Sequence, residues 1–146
     1  MLPDDEYLLR LGRVTYTLTR LETTTLRALG QLPGLPPALQ AHKLSGKTLD
    51  AIARAMADPA NTDKIADPTT RALLASAAED LAAAARTRRA ITHARAAHDD
   101  EEQRLHRRQG THADAVDITT AWLDRAQAEL DDAARRIPHA RPAEAA

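Results

Sequence analysis

The chain has no cysteine and no phenylalanine, and its only aromatics are one tryptophan and two tyrosines. Without cysteine there is no disulfide, no thiolate zinc site and no cysteine nucleophile, which suits a reducing compartment. Aromatic residues at 2% of the chain leave too little surface for a platform that stacks single-stranded bases. Neither sign of charge dominates, with Lys+Arg 20 against Asp+Glu 21. A broad phosphate-binding coat is therefore excluded, and any contact with RNA has to be local. No apolar run approaches the roughly 20 residues that span a bilayer, and the acidic start MLPDDEYLL lacks an apolar signal core. A cytoplasmic protein with no membrane partner is the expectation.

Two chemical motifs fail on inspection. SGKT, Ser45 to Thr48, imitates the end of a phosphate-binding loop, but the first glycine of that motif would fall on Ala41. Ser45 or Gly46 opening a short helix accounts for the stretch. His93, His98, His106 and His112 surround the acidic run Asp99, Asp100, Glu101 and Glu102, yet no spacing puts two ligands on one helix face in a recognised metal-binding arrangement. The run reads as a solvated connector, and neither metal nor cofactor is expected.

What is present is helical periodicity. The chain has 146 residues, 43% hydrophobic and 28% charged, which is the size and balance of one domain. We assign that domain to 1–138 and a loose tail to 139–146. Leu8, Leu11, Val14, Leu18, Leu21, Leu26 and Leu29 share one face of a helix from about Asp4 to Leu29. A short helix is predicted from Lys47 to Ala57. Asp67 as N-cap with Pro68 after it opens a long helix to about Ala97, with Leu73, Leu74, Ala77, Leu81, Ala84, Ala85 and Ile91 on its apolar stripe. The last helix is predicted from about Ala113 to Ile137, and QRLHR before it can form a short extended piece. The fold class is all-α: an antiparallel bundle of three long helices plus one short helix, since each apolar stripe needs a partner.

Polar groups on the apolar stripes carry the functional signal. Glu22 lies about 40° around the first helix from Leu18, and Arg88 falls about 20° from Leu81 on the third. An ionised group buried alone is too costly to keep, so the two are predicted to pair as opposite charges between helices. Arg88 belongs to RTRRAITHAR, Arg86 to Arg95, at the end of an alanine-rich helix. His93 lies about 140° around from Arg88 and on the same side as Arg86 and Arg89. Arginines that hold a phosphate beside a histidine that moves a proton suit phosphodiester chemistry at a ribose 2′-hydroxyl. A solvated basic helix end, favoured by the macrodipole, is the plainer explanation of the same residues. Arg13, Arg20 and Arg27 repeat every seven residues on the outer side of the first helix and read as a wetted face.

RRAITH, Arg88 to His93, resembles the Arg-x4-6-His signature of the HEPN family, small helical proteins that include RNA-cleaving toxins and phage-defence proteins. The order of a first helix reading YLLRLGRVTYTLTRLE, a motif helix, a loop and a last helix is also similar over roughly residues 5 to 137. Arg89 stands where the family usually has Asn, Asp or His. The resemblance implies a metal-independent endoribonuclease acting on RNA or a nucleotide. It further implies a homodimer whose motif helices form one composite cleft, with an antitoxin as a further partner. Arg88 and His93 would be its catalytic pair, supported by Glu22, Arg86 and Arg89. Two other readings fit the residues. One is a helical module that binds a small molecule or partner protein without chemistry. The other is a small biosynthetic enzyme using an inward Glu22, which requires that carboxylate in an apolar pocket.

Overall fold

A computed structural model describes residues 3–97, 102–108 and 115–139. They are mostly helical, with six helices, a single 3-10 turn and a two-stranded sheet among them. The first helix, α1 (Asp5–Gly30), begins where the Asp4 carboxylate accepts the Tyr7 amide hydrogen at 2.8 Å. It buries Tyr7, Val14, Leu18, Leu21, Thr25 and Leu29 along one face. The 3-10 turn Pro37–Leu39 and the short α2 (Ala41–Leu44) lead to α3 (Leu49–Ala57) and α4 (Pro59–Thr62). The SGKT stretch makes the turn before α3: Gly46 sits at φ 82°, a left-handed conformation open to glycine, and Thr48 rather than Ser45 or Gly46 caps the helix.

Helix α5 (Pro68–Thr92) starts as expected, with the Asp67 carboxylate accepting from the Thr69 and Thr70 amides and the Thr70 hydroxyl. These bonds, the Thr70 hydroxyl first, hold the Asp67 carboxyl below its usual range. The helix stops at Thr92, five residues before the predicted end at Ala97. Arg95 and His106 exchange backbone hydrogen bonds of 2.8 and 2.9 Å in an isolated bridge, and that pairing takes the chain out of the helix. Next come β1 (Leu105–Arg108) and β2 (Ala115–Ile118), antiparallel with Leu105 opposite Ile118 and His106 opposite Asp117. The extended QRLHR is thus borne out from Leu105, whereas 115–118, assigned to the last helix, pairs with it. Helix α6 (Thr120–His139) starts where the Thr119 hydroxyl accepts from the Trp122 amide at 3.1 Å, not at Ala113, which lies outside the described residues. It runs through His139, the first residue assigned to the tail; residues 140–146 lie outside the described set.

The helices' directions follow from which residues meet. Tyr7 reaches Ile118, Arg10 pairs with Asp124 and Gln127 donates to Thr17, so α1 and α6 advance side by side in the same direction. Helix α5 runs against both: Glu22 meets Arg88 while Leu29 lies beside Leu74, and Arg136 pairs with Asp80. It also runs against α3, where Asp50 meets Arg89 and Met56 lies near Leu74. One continuous core joins Leu21, Leu29, Leu39, Ile52, Met56, Leu74, Leu81, Leu123 and Leu130.

Candidate functional site

The C-terminal end of α5 projects four charged or ionisable side chains. Alanines at 77, 78, 84, 85 and 90 let α5 lie close to its neighbours, so the long side chains at its end are carried to the rim of the core. Arg88 reaches α1 there. Its Nη1 stands 3.3 Å from Glu22 Oε2, the pairing predicted from the helix angles. The pair is not buried as expected: the Arg88 side chain is 47% exposed and that of Glu22 24%. Both groups are long enough to turn from the apolar stripe toward solvent, so the desolvation that would make the contact costly is largely avoided.

A pair of this kind contributes little to stability. Glu22→Gln should lower the unfolding free energy by less than about 1 kcal/mol in a urea titration. A loss above about 2 kcal/mol would mean that Arg88 is left desolvated without its acid. The same contact removes the reading of Glu22 as an acid standing in an apolar pocket.

The remaining members diverge. Arg89 Nη1 lies 3.2 Å from Asp50 Oδ1 in the first turn of α3, so its charge is already matched. Arg86 is exposed and forms no ion pair among the described residues. His93 is the exposed C-cap of α5, its amide donating to the Arg89 carbonyl at 2.9 Å. No hydrogen bond joins Arg88 to His93 among the described residues. Their five-residue spacing sends them to different sides of the helix end, as the 100° rotation per residue requires.

No family model, curated protein or solved structure matches this chain.

A second polar cluster, missed by sequence reasoning, lies at the root of the hairpin. His106 Nδ1 and Asp117 Oδ1 approach to 2.5 Å across the two strands, and Arg104 Nη2 adds a 3.2 Å contact to Asp117 Oδ2. The geometry resembles a histidine oriented by a carboxylate for base catalysis, but His106 is only 8% exposed. Its position opposite Asp117 makes it a cross-strand pair that fixes the strand register. Beneath it, the Tyr7 hydroxyl donates to the Ile118 carbonyl at 2.7 Å and accepts the Leu105 amide at 2.9 Å, binding α1 to both strands. The available signal was Tyr7 itself, one of two tyrosines, set one turn before Leu11 and two before Val14 on the apolar face. Among the described residues no three His, Asp or Glu side chains gather as metal ligands. His98, Asp99, Asp100, Glu101 and His112 lie outside those residues.

Proposed function

We propose that this chain is a HEPN-like, RNA- or nucleotide-directed protein, a metal-independent endoribonuclease of a toxin or phage-defence system that works in the cytoplasm. The observation that carries the reading is the state of Arg88. Its guanidinium is held by Glu22 at one nitrogen and is otherwise open to solvent, on the same helix end as an exposed His93. A guanidinium fork fixed on one side and free on the other is suited to a phosphate. Arg86, about 200° around the helix from Arg88, adds positive charge on the His93 side, whereas Arg89 is engaged by Asp50.

In this reading Arg88 binds the scissile phosphate and stabilises the charge that develops on it. His93 takes the proton from the adjacent ribose 2′-hydroxyl as that oxygen attacks phosphorus, and the 5′-oxygen leaves with a proton taken from solvent water, giving a 2′,3′-cyclic phosphate and a free 5′-hydroxyl end. Because Arg88 and His93 diverge within one chain, the site needs a second copy. A two-fold axis near the end of α5 would set Arg88 of one chain against His93 of the other. The end is presented by three long helices of which α5 alone runs against the other two, a departure from the antiparallel bundle expected of the sequence, because α1 and α6 lie parallel.

The test is cleavage of single-stranded RNA by the purified protein in the presence of a chelator. Arg88→Ala and His93→Ala should each lower the rate by about 10²–10⁴-fold. Mixing the two inactive variants should restore part of the activity, because one composite site then regains both groups. Cleavage that survives both changes sinks the assignment, and a mixture without recovery places both groups in one chain.

A further inference from the structure

The three large hydrophobic residues that stand exposed among the described residues all lie near the start of α1: Leu8 at 40%, Leu9 at 55% and Tyr16 at 69%. At about 100° per residue, Leu8, Gly12 and Tyr16 form a ridge of positions four apart, flanked by Leu9; Gly12 and Tyr16 lie opposite the buried Val14, while Leu8, expected on the apolar face, stands exposed at the edge of that face, about 80° from Leu18. Nothing in the chain itself requires glycine at 12. It lies within the helix, its φ is not positive, and a Cβ built on it meets no atom within 4 Å. A glycine inside a helix costs about 1 kcal/mol relative to alanine, and what it offers in return is close approach of another backbone.

The charges on the same side are arranged in order. Asp5 is exposed in the first turn, and Arg20 is exposed four turns later; neither forms an ion pair among the described residues. Turned end over end about Gly12, the face is complementary to itself. Leu8 of one helix falls at the level of Tyr16 of the other, and Asp5 is offset from Arg20 of the other helix by about one residue's rise, 1.5 Å, along the axis. A parallel arrangement would instead place Asp5 on Asp5 and Arg20 on Arg20.

We propose that the outer face of α1 docks on the same face of a second copy of this chain, antiparallel, with Gly12 at the crossing point. The surface goes beyond the functional reading, since it lies on the side of α1 turned away from the core that α5 packs into. One helix face is a small interface, so the association is weak and rises with concentration.

The absence of cysteine allows a position-specific test on the full chain. Chains carrying Leu8→Cys are mixed with chains carrying Tyr16→Cys at about 0.1 mM, where a weak contact is populated, and oxidised. The mixture should form a disulfide-linked dimer at least tenfold faster than either variant alone, because Leu8 is near Tyr16 of the partner and far from the partner's Leu8. Introducing Gly12→Leu into both chains should reduce that cross-linking about tenfold or more while leaving thermal stability unchanged or raised, since leucine is the better helix former. Mixed cross-linking no faster than that of the single variants, or unaffected by Gly12→Leu, overturns the proposal. Preferential linking of Leu8→Cys to itself also overturns it by showing a parallel contact. Because the readout reports only positions 8 and 16, it is separate from any association at the end of α5, and RNA cleavage by the Gly12→Leu protein tells the two apart.

Discussion

Tyr7→Phe should lower the unfolding free energy by about 2–4 kcal/mol, although it removes a single oxygen atom. That oxygen serves two backbone groups from different strands, the Ile118 carbonyl and the Leu105 amide, at a tyrosine only 6% exposed. Removing it leaves an acceptor and a donor unsatisfied together, and each costs about 1–3 kcal/mol when water cannot replace the lost partner. Phenylalanine keeps the packing of the ring, so the loss isolates the hydroxyl. A urea titration of both proteins measures it, and a difference below about 0.5 kcal/mol would show that solvent satisfies both groups. Alkali provides a second readout. Burial raises the Tyr7 hydroxyl above the ordinary tyrosine value, with the Leu105 amide pulling the other way. The folded state therefore keeps this proton at pH values where the unfolded chain has lost it. This contribution is fully present below the unfolded tyrosine value of about 10 and is lost as pH rises through the folded one. Tyr7→Phe should flatten that part of the stability profile.

Leu81→Ala should cost about 3–4 kcal/mol and lower the melting temperature by about 6–12 °C. Leu81 is fully buried, and the other buried side chains of α5 are small except Leu74. Alanine neighbours cannot swing into the space left behind, so the cavity should persist and add to the lost transfer energy. The half-buried Leu73 is the control, since Leu73→Ala removes the same atoms from a site that solvent already reaches. Equal losses at the two positions would mean that the core around Leu81 collapses freely.

Helical content, the apolar faces of α1 and α5 and the Asp67–Pro68 start of α5 were legible because they depend on local spacing and caps. The Glu22–Arg88 contact was legible for a related reason: two opposite charges stood on two apolar stripes. Its exposure was not, because a straight-helix projection ignores the reach of both side chains. The early end of α5 and the late start of α6 have a different cause. Both are decided by backbone pairing between residues distant in sequence, Arg95 with His106 and 105–108 with 115–118, and a four-residue strand carries too little pattern to announce its partner. At the candidate site, residue types were readable from RTRRAITHAR. That Asp50 engages Arg89, and that His93 ends the helix rather than lying within it, depends on neighbours the string does not name.

The parallel course of α1 and α6 also bears on the order in which the chain can assemble. Joining Tyr7 to Ile118 closes a loop of 111 residues. The length-dependent part of that closure entropy is about 4 kcal/mol, against about 2 kcal/mol for the roughly ten residues that connect α3 to α5. The α3–α5 hairpin is thus the inexpensive local step, and the Tyr7 hydroxyl can find its two backbone partners only after the hairpin strands are in place. The bonds that tie the first helix to the hairpin and to the last helix are then the late ones to form, because they close the longest loops.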